Sequence, residues 1–128
     1  MSFTQTNILR KRANDFLEEG RYLIDIKKYD LAIFNLDQYC ELILKYKILI
    51  KLGFYLDTHS LKELINKLSE FDDNIKGLVT NKKDLLYIGR LTDAYISARY
   101  MPFEFDEKET KSAYKFIVEV FNQYVNRI

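Results

Sequence analysis

Apolar residues recur with a helical period along nearly the whole chain. From Asn7 to about Lys27, Leu9, Ala13, Phe16, Leu17, Gly20 and Ile24 fall on one face at i, i+3, i+4 spacing. The run Lys27 to Asp30 breaks that face. Asp30 can serve as an N-cap, its carboxylate accepting from a free amide of the next first turn. A second helix is then predicted from about Leu31 to Leu52, with Gly53 as the residue after its end. Ala32, Leu36, Tyr39, Ile43, Tyr46 and Ile50 line one side of it, and Ile33, Phe34, Cys40, Leu44 and Ile48 occupy others. A helix apolar over so much of its circumference belongs at the centre of a bundle.

Ser60 and Glu63 form a capping-box pattern, which predicts a third helix to about Phe71. The stretch "DDNIKGLVTNKK" reads as a connection, with Gly77 at a turn. A fourth helix is predicted from about Asp84 to Tyr100, stopping before Pro102. Gly89 lies inside it, where glycine costs ~1 kcal/mol relative to alanine; close packing against another helix would account for it. Asp106 and Glu109 repeat the capping-box pattern. A fifth helix then runs to the C-terminus with Ala113, Phe116, Ile117, Val120, Phe121, Tyr124 and Ile128 as its stripe. The expectation is one all-α domain over residues 1–128, a compact up-and-down bundle of about five helices. Its surplus of apolar surface points to a homodimer.

Composition adds limits. One proline and four glycines leave little material for a turn-rich β fold. Cys40 is the only cysteine, so no disulfide framework is expected, and a reducing, cytoplasmic setting fits best. The N-terminal residues lack the pattern of a signal peptide. The longest apolar region, "LILKYKILIKL", is interrupted by three lysines and cannot span a bilayer. The formal net charge is +1, so the local basic clusters are balanced by acidic residues elsewhere.

Few residues offer chemistry. His59 is the only histidine, and it sits where the third helix begins. Its structural role there is to accept a bond from a free backbone amide; its chemical role would be that of a general base or acid. A zinc site needs three or four ligands, and no second histidine or thiolate spacing supplies them. No cofactor is implied, since no glycine loop of the phosphate-cradling kind is present. Gln38, Glu41 and Lys45 make a polar stripe on the most apolar helix, with Glu41 four residues before Lys45 in the favourable order for an ion pair. That stripe is either a narrow solvent-facing seam or the lining of a groove. Arg99 follows Tyr95 by four residues and precedes Tyr100, a combination suited to stacking, anion binding or a protein interface.

Three blocks carry a family resemblance. "YDLAIFNLDQYCELILKYKIL" resembles the second helix of HEPN domains (higher-eukaryote and prokaryote nucleotide-binding), with Tyr29, Asp30, Ala32, Phe34, Gln38, Glu41, Leu44 and Lys45 at the matching positions. "GFYLDTHSLKELI" is similar to the family's Thr-His-Ser/Asp-Leu segment, and "AYISARYMP" to its Ala/Ser-Arg-Tyr-x-Pro ending. The resemblance spans residues 29 to 102. It implies a helical bundle that commonly dimerises, encoded beside a minimal nucleotidyltransferase as a toxin–antitoxin or two-component system, with nucleotide or RNA as ligand. It also raises metal-independent RNA cleavage. Ribonuclease members carry an Arg followed four to six residues later by His. Here "LTDAYI" follows Arg90 and "YMPFEF" follows Arg99, neither with His, and His59 precedes both arginines. The expected ligand groove is therefore Gln38, Glu41, Lys45, His59, Arg99 and Tyr100, with Lys45 and Arg99 holding phosphate. His59 and Arg99 would be the catalytic pair if the protein were a ribonuclease. A helical assembly protein without a ligand is the remaining reading.

Overall fold

A computed structural model describes residues 3–128. Helix α1 (Phe3–Asp25) and helix α2 (Tyr29–Leu52) are joined by three residues and pack along their length as an antiparallel hairpin. Lys27 takes a left-handed conformation (φ 63°), and the amides of Lys27 and Lys28 donate to the carbonyls of Ile24 and Leu23. This closes α1 two residues before the predicted end. Asp30 is not the cap of α2. The cap position is Lys28, which makes no side-chain bond there. The Asp30 carboxylate instead accepts from the Phe105 amide at 2.7 Å, tying a distant loop to the start of α2. At the other end Gly53 has φ 82°, and its amide donates to the carbonyls of Ile48 and Leu49. A residue with a Cβ pays for that left-handed geometry, so glycine fits.

Helix α3 (Leu61–Leu68) starts as expected, with the Ser60 hydroxyl accepting from the Glu63 amide at 3.2 Å. It stops three residues short of Phe71, which is exposed. The predicted connection contains a 3₁₀ turn, Asp73–Lys76, and a short helix α4 (Gly77–Thr80). Ile75 and Leu78 plug it into the core. Gly77 is helical rather than at a turn; a Cβ there would lie 2.9 Å from the Tyr124 ring. Helix α5 (Lys82–Tyr100) is capped by the Asn81 side chain, which accepts from the amides of Lys83 and Asp84. Asp106 caps helix α6 (Glu107–Phe116) by accepting from the Glu109 amide. The last stripe is not one continuous α-helix. A π-helical turn, Ile117–Phe121, separates α6 from α7 (Asn122–Asn126).

The described residues contain no strand, and the fold is an all-α bundle. Helix α2 is its axis: Ala32, Leu36, Cys40, Leu44 and Ile48 are completely buried. Gly89 does not pack closely. It is exposed, and a Cβ built on it meets nothing within 4 Å. The close approach falls at Gly20 instead, where a Cβ would lie 2.8 Å from Leu36 Cδ2.

Candidate functional site

The polar stripe of α2 meets α5 and the loop before α3. Glu41 is the hub. It is almost fully buried, and its two carboxylate oxygens have separate partners. Lys45 Nζ donates to Oε2 at 3.1 Å, and His59 Nδ1 lies 3.0 Å from Oε1. One helical turn separates Glu41 from Lys45, which brings the pair together on a single face. Lys45 is only 2% exposed, so its ammonium sits beneath the surface and is completed by the Tyr55 hydroxyl at 3.3 Å. Burial alone would lower the Lys45 pKa; the hydrogen bond and charge of Glu41, together with Tyr55, outweigh it and raise the pKa.

His59 precedes the cap residue Ser60, and its side chain is 53% exposed. It makes no bond to the amides of α3, which are served by Ser60. Nδ1 faces Glu41, and the ring stacks on Tyr95 with centroids 4.1 Å apart and planes 21° from parallel. Thr58 stiffens the approach to this position. Its hydroxyl donates to Glu63 at 2.7 Å and accepts from the Ser60 amide.

The α5 side is an aromatic cluster around a cation. The Arg99 guanidinium carbon lies 4.5 Å from the Tyr95 ring centre, 4.8 Å from that of Tyr100 and 5.3 Å from that of Phe34. Arg99 Nε donates to the Tyr95 carbonyl at 2.9 Å. The guanidinium is thus held by rings and by its own helix, and its terminal nitrogens have no hydrogen-bond partner among the described residues. Each ring contact is worth ~0.5–1 kcal/mol at an exposed position. Tyr100 itself is largely exposed.

Of the six groove residues read from the sequence, Glu41, Lys45 and His59 form one connected network, and Arg99 and Tyr100 form a second. Tyr95 links them, because it stacks on His59 and under Arg99. Gln38 joins neither; its amide donates to Asp37 at 3.3 Å. Sequence reasoning missed Asp37, Tyr55 and the linking role of Tyr95. Asp37 was detectable as the extension of the Glu41–Lys45 spacing by one more turn. It is completely buried, its Oδ1 has no partner, and burial, followed by the charge of Glu41, pushes its pKa up to about 8 against the bond from Gln38. Burial and the Glu41 charge thus both favour the uncharged acid at Asp37, beside an ion pair. Arg90, the other arginine of α5, is engaged elsewhere, with Glu109 and the Phe105 ring.

Among the described residues no group of three or more His, Cys, Asp or Glu side chains can hold a metal ion, and no helix is long and apolar enough to cross a membrane. What the site offers is a fixed guanidinium edge, an imidazole nitrogen and flat aromatic surface. In the comparisons with known proteins, no curated protein and no solved structure matches the chain. The family model of the HEPN domain matches residues 6–128, essentially the whole described fold, and the chain belongs to that family.

Proposed function

We propose that the surface formed by α2, α5 and the loop before α3 binds the phosphate and base of a nucleotide or of RNA, and that the domain acts as a non-cleaving HEPN-type module. The observation that carries this reading is the Arg99 cluster. Phe34, Tyr95 and Tyr100 crowd the guanidinium and Tyr95 O holds Nε, so its remaining donors are left as a fork suited to a phosphate. The exposed ring of Tyr100 supplies a stacking surface for a base. Lys45 is too buried to touch the phosphate; it keeps Glu41 in place, and Glu41 holds His59. In this reading the protein is a homodimer that works with a minimal nucleotidyltransferase as a two-component or toxin–antitoxin pair. The test is a titration with nucleotides and short single-stranded RNA, followed by fluorescence anisotropy. Binding that weakens about tenfold or more in Arg99→Ala supports the reading. Binding that is absent, or indifferent to Arg99→Ala, favours a ligand-free assembly protein. A nucleotidyltransferase gene beside this one, whose product forms a complex with the purified protein, would support the partner.

The contact between Glu41 and His59 favours a second reading, a metal-independent endoribonuclease in which Arg99 stabilises the phosphorane and His59 acts as general base or acid. We rank it second because no histidine follows Arg90 or Arg99 at the spacing of the family's ribonucleases. Incubation of metal-free protein with single-stranded RNA is expected to give little or no cleavage. Robust cleavage lost in His59→Ala would reverse the ranking.

A further inference from the structure

We infer that Glu41 is a positioning residue that holds His59 as the Nδ1–H tautomer, so that Nε2 faces outward as a hydrogen-bond acceptor and the site takes a ligand with a hydroxyl next to its phosphate. Glu41 is buried, and its Oε2 is committed to Lys45. The other oxygen, Oε1, meets His59 Nδ1 at 3.0 Å. A carboxylate can only accept, so the proton of a neutral ring stays on Nδ1. An unconstrained histidine prefers the opposite tautomer. Stacking on Tyr95 fixes the plane of the ring, and half of the side chain is open to solvent. Nε2 makes no hydrogen bond to any described residue.

The bare nitrogen selects its ligand. A lone pair repels the oxygens of a phosphate and accepts from an O–H. Arg99, by contrast, offers only donors. The His59 ring and the Arg99 guanidinium both lie within 4.5 Å of the Tyr95 ring centre, so they are less than about 9 Å apart. One acceptor and one cationic fork on a shared aromatic ring, no farther apart than this limit, suit a ribose hydroxyl beside a phosphate. This ligand class rests on the proposed nucleotide-binding function; the tautomer does not.

Lys45 gives the inference a sharp consequence. In Glu41→Gln the side chain keeps its shape but has one acceptor and one donor end. Lys45 can only donate, so it requires the amide oxygen. The amide nitrogen then faces His59 and donates to Nδ1. The proton moves to Nε2, and the outward acceptor becomes a donor.

Because the chain holds a single histidine, long-range ¹H–¹⁵N correlation spectra of the imidazole contain one residue's signals. At a pH high enough to leave the ring neutral, the parent protein is expected to show a protonated Nδ1 and a bare Nε2. Glu41→Gln is expected to show the reverse, and adding Lys45→Met to Glu41→Gln to relax that reversal. A parent protein already in the Nε2–H form overturns the inference without any variant having to fold. For the ligand, a short single-stranded oligoribonucleotide is expected to bind up to about tenfold more tightly than the same sequence with 2′-deoxyribose, and to lose that preference in Glu41→Gln. Equal affinity of the two oligonucleotides refutes the hydroxyl contact while phosphate binding stands. Failure of both to bind removes the nucleotide reading together with the ligand class.

Discussion

Replacing Asp37 by Asn should make the protein more stable above neutral pH and cost about 1–3 kcal/mol near pH 4. The carboxyl is fully buried one turn before Glu41, and its pKa rises from 3.8 to about 8, first through burial and then through the Glu41 charge. A raised acid pKa means that the folded state binds the proton more tightly than the unfolded chain does. Its contribution is fully present below the unfolded value near 4 and is lost as pH rises towards about 8. Each unit of that interval is worth ~1.4 kcal/mol, so the whole span amounts to ~6 kcal/mol. Asn stays neutral throughout. It can accept from Gln38 with its oxygen, while its amide occupies the place of Oδ1, which already lacks a partner. Some of the gain is given back by that unpartnered amide, which costs about 1–3 kcal/mol. A net stabilisation of about 3–5 kcal/mol at pH 9 follows. Urea unfolding of parent and variant at pH 4, 6, 7.5 and 9 measures it, and the difference between the two removes all titrations they share. Two stability curves that run parallel from pH 4 to 9 would show that Asp37 is ionised in the fold, and the account of its environment would fail.

Glu41→Ala leaves the Lys45 ammonium buried without its counter-charge and should cost ~3–5 kcal/mol in denaturant unfolding; combining it with Lys45→Met should recover much of that loss, and no recovery would mean that the pair is not the cause. Gly89 and Gly20 should respond in opposite directions: Gly89→Ala stabilises by ~0.5–1 kcal/mol because the site is open, whereas Gly20→Ala destabilises by ~1–3 kcal/mol against Leu36, and equal shifts in midpoint would contradict the packing described. Light scattering at micromolar concentration should return twice the 15.3 kDa chain mass, with Leu86 and Ile96 exposed on α5 as apolar contact surface; the single-chain mass would rule the homodimer out.

The helices were legible because their signals are local. The apolar period of α2, the caps at Ser60 and Asp106 and the stop at Gly53 all depend on neighbours a few residues away. Asp30 shows where such reading fails. Its sequence position is right for a cap, but a loop 75 residues later supplies the amide that it accepts from. Gly89 fails for a related reason: a helix glycine can mark close packing or open surface, and only the neighbouring helices decide. In the site, the spacing of Glu41, Lys45 and Arg99 was visible, yet the link through Tyr95 required α2, α5 and the loop at His59 to meet in space. Asp37 escaped notice because a carboxylate in an apolar helix reads as a polar seam until its burial is known.

The π-helical turn at Ile117–Phe121 acts as a phase shifter in the last helical segment. A π turn accommodates one residue more than a regular turn, so everything after it is rotated by roughly 100° relative to an uninterrupted helix. That rotation seats Val125 in the core, brings Asn122 onto the Tyr39 hydroxyl and lays the Tyr124 ring over Gly77. Deleting a single residue from 117–121 would let the segment relax into a continuous α-helix. Val125, Asn122 and Tyr124 would then keep their faces, whereas straightening the turn with no residue removed would turn all three contacts away together. The C-terminal segment can therefore absorb the loss of one residue at this turn, where the same loss elsewhere in the segment would swing its apolar face off the core, and its alignment with related chains should allow a one-residue gap between two blocks that meet here.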